Sequence, residues 1–112
     1  MVKIGVTGNI GSGKSTVCSI FEQLGWLVYY SDERAKWLMN HDPTLIKQII
    51  SLLGKESYGS NGQINKHHIG NKIFYAPELL HNLNQIIHPA VKEDFSKWCF
   101  KNKSCKYLVK ES

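Results

Sequence analysis

The chain has 112 residues, of which 42% are hydrophobic and 21% are charged, values typical of one modest globular domain. Its net charge of +5 suits an anionic ligand. The lysines are scattered, however, and no binding signature accompanies them, so we expect no nucleic-acid partner. No apolar run is long enough to span a membrane, no signal peptide is evident, and the three cysteines follow no metal-binding spacing. These properties predict a cytoplasmic protein with reduced thiols and no membrane partner, and they leave the oligomeric state open.

The strongest motif covers residues 8–16, where the sequence fits G-x-x-x-x-G-K-[ST], the phosphate-binding P-loop. An apolar segment over residues 2–7 predicts a buried strand before it, and apolar residues at helical spacing predict a helix over residues 14–24 after it. The loop should turn its N–H groups towards phosphate oxygens, Lys14 should reach the β- and γ-phosphates, and the Ser15 hydroxyl should bind Mg²⁺. The residues expected to bind the triphosphate are Gly8, Asn9, Ile10, Gly11, Ser12, Gly13, Lys14, Ser15 and Thr16.

Residues 26–30 are aromatic or β-branched for the most part and predict a second strand, parallel to the first. Asp32 follows this strand and opens a predicted helix over residues 33–39. Two roles are open for it from the spacing alone. It can serve as the helix N-cap, or it can present a carboxylate to the γ-phosphate across the crevice at the carboxyl ends of the strands.

The next predicted elements are helical. Asp42 and Pro43 form a good helix start, residues 44–53 carry an apolar face, and Gly54 ends this helix. A glycine-containing loop over residues 54–62 follows, and residues 63–74 suit one or two short helices. The adjacent His67 and His68 would diverge on a helix, which favours a surface role over a metal pair.

The longest helical pattern covers residues 76–101 and is interrupted by Pro89, which predicts a kink or a break near residues 87–88. His88 would then lie at an irregularity. It is either a packed histidine whose ring bonds a freed carbonyl or a residue of a substrate site. Residues 106–109 resemble the beginning of a third strand.

Taken together, the chain resembles the N-terminal part of the dephospho-coenzyme A kinases. The resemblance rests on the P-loop at 8–16, on Asp32 where that family has a two-aspartate motif, on residues 62–64 followed by 72–74, and on a histidine–proline pair at 88–89. It implies an α/β fold with an incomplete parallel sheet of the P-loop NTPase type and an all-helical substrate-binding insert. The implied regions are 1–39 for the first part of the nucleotide-binding core, 40–104 for the insert and 105–112 for the beginning of the third core strand.

The resemblance implies a kinase that uses ATP and Mg²⁺ to phosphorylate the ribose 3′-hydroxyl of dephospho-coenzyme A, the last step of coenzyme A biosynthesis. Asp32 and Lys14 would be the catalytic residues, and Asp32, His88 and Lys72 would contact the acceptor. Two residues depart from the family pattern. Tyr30 replaces the first aspartate of the acidic pair, and Lys72 replaces an arginine, so a bidentate phosphate contact is not possible there.

Members of that family continue past the third strand into a lid and adenine-contacting segments. The resemblance therefore leads us to expect that the 112-residue chain alone is a truncated form that is weakly active or inactive, with the first strand exposed along one edge. The alternatives are a P-loop kinase of another small metabolite, such as a nucleoside monophosphate, and a nucleotide-binding module without catalysis.

Overall fold

The computed structural model describes residues 2–6 and 14–111, and of Lys14 and Ser15 it describes the backbone only. A three-stranded parallel sheet is formed by β1 (Val2–Val6), β2 (Leu27–Tyr30) and β3 (Tyr107–Glu111), in the order β1-β3-β2. The last strand in the chain thus lies between the first two. Its registers place both Val6 and Tyr30 opposite Glu111, so β1 and β2 end at the same level of the sheet.

Five α-helices are found within the described ranges, and the predicted helical stretches correspond to them. They are α1 (Lys14–Gln23), α2 (Ser31–His41), α3 (Pro43–Leu53), α4 (Lys66–Tyr75) and α5 (Glu78–Lys101), with a short 3-10 turn at Lys55–Ser57. The predicted limits of α3 are confirmed in detail. The Asp42 carboxylate accepts a hydrogen bond from the Thr44 N–H at 3.0 Å, and Gly54 ends the helix with φ +97°. That φ lies in the region which favours glycine.

A kink or a break was expected at Pro89, and the break is not found, because α5 runs as one helix of 24 residues with Pro89 inside it. A proline inside a helix removes one N–H donor, and its ring crowds the carbonyl four residues earlier. Apolar side chains of α5 on both sides of Pro89, including Leu83 and Val91, contact the same cluster, and this packing offsets the cost of the proline. Tertiary contacts therefore determine the continuity of this helix.

Contacts divide the chain into two compact units. A sheet unit contains residues 1–34 and 93–112, and a helical unit contains residues 35–92. The helical unit is thus shorter at its carboxyl end than the insert predicted over 40–104. The reason is visible in α5, whose last turns pack on β2: the Tyr29 ring makes edge-to-face contacts with Phe95 and Trp98, with centroid distances of 5.0 and 5.3 Å.

Each unit has its own core. In the sheet unit the buried side chains include Cys18, Tyr29, Leu108 and Val109. In the helical unit the buried cluster consists of Leu38, Leu45, Ile49, Leu53, Ile69 and Leu83.

The expectation that β1 is a buried strand is wrong. Val2 is 49% exposed, Lys3 and Gly5 are also exposed, and β1 forms one end of the strand order. On α1 the apolar residues Val17 and Ile20 are exposed as well. The expected open edge at the first strand is therefore present, because within the described residues only β3 pairs with β1.

Candidate active site

The predicted P-loop residues Gly8, Asn9, Ile10, Gly11, Ser12 and Gly13 lie outside the described residues, as do the side chains of Lys14 and Ser15. The elements on both sides of the loop are described, and they agree with the motif. Strand β1 ends at Val6, and α1 begins at Lys14, as the strand–loop–helix arrangement requires. Thr16 lies in the first turn of α1 and is exposed.

Asp32 lies in the first turn of α2, two residues after β2 ends. Because the helix begins at Ser31, Asp32 does not occupy the N-cap position, and the N-cap interpretation is wrong. Its carboxylate is exposed and forms no hydrogen bond within the described part of the chain. Since β1 and β2 end at the same level of a parallel sheet, Asp32 and the entrance to the P-loop lie at the same sheet edge.

Glu111 is the functional candidate that the sequence reasoning missed. It ends β3, between the ends of β1 and β2, and it is only 9% exposed. Its carboxylate therefore lies at the same sheet edge as the entrance to the P-loop. The signal that could have identified Glu111 is its position at the end of a short apolar segment, two residues after the apolar pair Leu108–Val109.

A second polar cluster in the sheet unit joins Tyr29, Arg34 and Asp94. The Arg34 guanidinium donates from Nε and Nη2 to the two Asp94 carboxylate oxygens at 2.9 and 2.8 Å, and the Tyr29 hydroxyl donates to Oδ2 at 2.7 Å. The hydrogen bonds from Arg34 lower the pKa of Asp94 most, and burial is the main cause that raises the pKa of the Tyr29 phenol. These contacts tie β2 and the first turn of α2 to α5, and thereby fix the chain on both sides of Asp32.

The same cluster borders a cavity of about 420 Å³, whose charged lining includes Glu33, Lys97 and Lys101. Sequence reasoning did not find this network, because Arg34 and Asp94 are 60 residues apart and no local pattern pairs them.

Tyr30, which the resemblance places at the first position of the expected acidic pair, forms a contact within the sheet unit. Its hydroxyl donates to the Glu22 carboxylate on α1, and this hydrogen bond is the main cause that raises the pKa of the Tyr30 phenol. The position therefore carries a neutral hydroxyl that links β2 to α1. Asp32 is the acidic residue at the expected pair of positions, 30 and 32.

The other expected acceptor residues, His88 and Lys72, belong to the helical unit. His88 lies on the uninterrupted helix α5 and is exposed, so the interpretation of a packed histidine is wrong. Lys72 lies on α4 and is exposed too. Within the residues described, neither side chain forms a hydrogen bond or an ion pair. Both are accessible to a ligand.

The surface prediction for the histidine pair is confirmed for His67, which is exposed and lies 3.3 Å from the Asn71 amide. His68 is half-buried, and its Nε2 lies 3.0 Å from the carbonyl oxygen of Leu53, near the end of α3. Among the residues that the structure covers, no group of three histidine, cysteine or carboxylate side chains could hold a metal ion. None of the helices within those residues is long and apolar enough to cross a membrane.

The parallel sheet, the helix that begins directly after the glycine-rich loop, and the acidic residue at the carboxyl edge define an α/β protein of the P-loop NTPase type. Comparison with known proteins makes this class more specific. The chain belongs to the dephospho-CoA kinase family, whose model matches residues 2–112.

The relatives agree with this assignment. The chain is 46% identical over 98 residues to the dephospho-CoA kinase of Porphyromonas gingivalis, and this match covers 88% of the chain and 48% of the relative. It is 41% identical over 108 residues to the enzyme of the same name from Bacteroides fragilis, covering 96% of the chain and 52% of the relative. The chain thus spans about half the length of the curated relatives it matches.

Solved structures support the fold. TT1252 from Thermus thermophilus superimposes with a TM-score of 0.75 at 25% identity, and the match covers 99% of this chain and 55% of the TT1252 chain. Dephospho-CoA kinase from Campylobacter jejuni has a TM-score of 0.72 at 21% identity, over 96% of this chain and 55% of its own, and this likeness concerns the fold alone.

Proposed function

We propose that the protein transfers the γ-phosphoryl group of ATP to the ribose 3′-hydroxyl of dephospho-coenzyme A, which yields coenzyme A and ADP. The observation that carries the proposal is the position of Asp32, together with the family membership. An exposed carboxylate lies at the same sheet edge as the entrance to the P-loop, where donor and acceptor must meet.

The roles follow from the chemistry. The backbone of residues 8–16 holds the triphosphate, and the Lys14 ammonium neutralises charge on the transferred phosphoryl group. Asp32 orients the 3′-hydroxyl and accepts its proton as the hydroxyl oxygen bonds to the γ-phosphorus and the bond to the ADP oxygen breaks. Such transfer depends mainly on positioning and electrostatics, so a carboxylate fixed by its helix is suited to this task.

The residues present fit a magnesium ion, which would polarise the phosphates when bound. The oxygen ligands would come from the Ser15 hydroxyl and from Glu111, the buried carboxylate at the end of β3. His88 and Lys72, both exposed, contact the acceptor in this proposal, with Lys72 contributing a single positive charge. The enzyme would act in the cytoplasm.

The test combines binding with turnover, because the chain spans about half the length of its relatives. ATP and dephospho-coenzyme A binding are measured by calorimetry with Mg²⁺, and coenzyme A formation is followed by chromatography. Lys14→Ala should abolish ATP binding. Asp32→Asn should preserve ATP binding and lower turnover at least ~100-fold, the usual contribution of a general base.

Glu33→Gln is the matched control, because Glu33 is an exposed carboxylate in the same helical turn. It should retain the activity of the parent chain. Full activity of Asp32→Asn would contradict the role of Asp32 as the group that accepts the proton. Phosphorylation of nucleoside monophosphates instead of dephospho-coenzyme A would contradict the acceptor, and ATP binding without any transfer would favour a non-catalytic module.

A further inference from the structure

The first turn of α2 carries Asp32 but begins without a side-chain cap. Tyr30 precedes the helix at the position where serine, threonine, asparagine or aspartate would cap it, and its hydroxyl donates to Glu22 on α1 instead. The Ser31 hydroxyl oxygen is buried and has no hydrogen-bond partner within the described residues. Because the first N–H groups of a helix have no partner inside the helix, an uncapped first turn frays unless another contact holds it. The position of Asp32 therefore depends on that other contact.

Asp94 on α5 supplies the contact and holds the chain on both sides of Asp32. Arg34, two residues after Asp32, donates from Nε and Nη2 to the two Asp94 carboxylate oxygens at 2.9 and 2.8 Å. The Tyr29 hydroxyl, three residues before Asp32, donates to Oδ2 at 2.7 Å. A bidentate pair fixes the direction of the guanidinium as well as its distance. One carboxylate thus joins the end of β2 to the first turn of α2.

The surroundings of Asp94 make this support firm. The Tyr29 side chain is buried, and its ring contacts Phe95 and Trp98 on the same part of α5. The Asp94 side chain is largely shielded from water, so solvent competes only in part for its three hydrogen bonds. Reacting groups are held to within about 0.5 Å by supporting residues that are themselves fixed by packing and hydrogen bonds. Asp94 meets both of these conditions.

We propose that Asp94 is a positioning residue for the transfer reaction: through Arg34 and Tyr29 it holds the first turn of α2, so that the Asp32 carboxylate stays where the acceptor hydroxyl must lie. The proposal rests on the proposed function and deepens it, because it adds a residue that acts only through Asp32. Phosphoryl transfer depends on orientation, so displacement of the proton-accepting group slows the chemical step. Loss of Asp94 should therefore lower kcat and leave ATP binding unchanged.

The first readout is the mobility of residues 31–34 in the folded 112-residue chain, measured by ¹⁵N relaxation and relaxation dispersion at a temperature where circular dichroism shows each variant folded. In Asp94→Asn the backbone order parameters of these residues should fall by at least ~0.1 from the value of about 0.85 of rigid backbone, or exchange broadening should appear there. Arg34→Lys keeps the charge but loses the bidentate contact, so it should act in the same direction. Glu93→Gln removes an exposed carboxylate from the adjacent position and should change neither quantity.

The second readout is a double-mutant cycle on coenzyme A formation. Asp94→Asn should lower kcat at least ~10-fold in the parent chain, since a displaced reacting group costs one to two orders of magnitude in rate. In the Asp32→Asn background it should lower kcat no further, because groups that act as a unit are not additive. A merely structural role would lower kcat by the same factor in both backgrounds. Asp42→Ala, which removes the cap of α3 and does not touch this network, should retain the parent kcat.

The outcomes separate this proposal from the proposed function. Unchanged mobility of residues 31–34 in both Asp94→Asn and Arg34→Lys would overturn it, whatever the kinase assay gives. Equal losses of kcat with and without the Asp32 carboxylate would overturn it too, since the loss would then be a general effect on the fold. Increased mobility together with a non-additive kcat supports it. Where the parent chain forms no coenzyme A, the mobility alone decides whether Asp94 holds the turn, and the missing turnover counts against the proposed reaction alone.

Discussion

The Arg34–Asp94 pair should stabilise the sheet unit, and Asp94→Asn tests this. The substitution keeps the shape of the side chain, removes its charge and turns an N–H₂ group towards donors. Asp94 accepts from Arg34 at two atoms and from the buried Tyr29 hydroxyl, so it cannot satisfy all three donors as an amide. The free energy of unfolding should therefore decrease.

The magnitude lies between two limits. An exposed ion pair contributes about 0–1 kcal/mol, and a buried pair that loses one partner costs about 3–5 kcal/mol. The Arg34 side chain is 38% exposed and that of Asp94 17%, so solvent screens part of the interaction. We expect a loss of about 2 kcal/mol, equivalent to a decrease of about 6–10 °C in the unfolding midpoint for a chain of this size.

Glu93→Gln is the control. Glu93 precedes Asp94 on α5 and pairs with Lys97 at 3.3 Å, with both side chains more than 70% exposed. Its loss should cost no more than ~0.5 kcal/mol. Thermal and urea unfolding, followed by circular dichroism at neutral pH, measure both variants. Equal midpoints for Asp94→Asn and Glu93→Gln would refute the assigned strength of the pair.

The pH dependence gives a second check. Arg34 lowers the pKa of Asp94 in the folded chain, so the stabilisation is fully present above the unfolded pKa of about 3.9 and is lost as the pH falls through the lower folded value. The stability difference between the parent chain and Asp94→Asn should narrow as the pH falls from about 5 to about 2. A difference that stays constant over this range would contradict the electrostatic explanation.

Two further predictions concern the helical unit. Asp42→Ala should lower the free energy of unfolding by about 1 kcal/mol, because it removes the cap on the Thr44 N–H. Asp42→Ser should keep most of the stability of the parent chain, because serine also caps helices. Equal urea midpoints for the two variants would count against the cap. The Tyr58 hydroxyl donates to the Met39 carbonyl at 2.6 Å, and burial raises the pKa of the phenol to about 12. The folded parent chain and folded Tyr58→Phe should therefore absorb almost equally at 295 nm near pH 11. After unfolding, their absorbance should differ by one tyrosinate. A difference of one tyrosinate already in the folded state would contradict this.

The sequence was most informative where short-range chemistry determines structure. The ends of α3 could be predicted because Asp42 and Gly54 bond only to backbone groups a few residues away in the chain. The N-cap prediction failed at Asp32, since the helix begins at Ser31, two residues before the predicted start at residue 33. No break occurs at Pro89, since packing on both sides of the proline keeps α5 continuous. In both cases tertiary context overrode a local signal.

The P-loop motif, the class of nucleotide-binding protein and the placement of Asp32 after the second strand were determined by the sequence alone, because each depends on residues close together in the chain. Only the tertiary structure decided that β3 lies between β1 and β2, which places Glu111 at the sheet edge beside their ends. It also decided that Arg34 pairs with Asp94 across 60 residues. These arrangements depend on strand pairing and helix packing between distant segments, which leave no local pattern in the sequence.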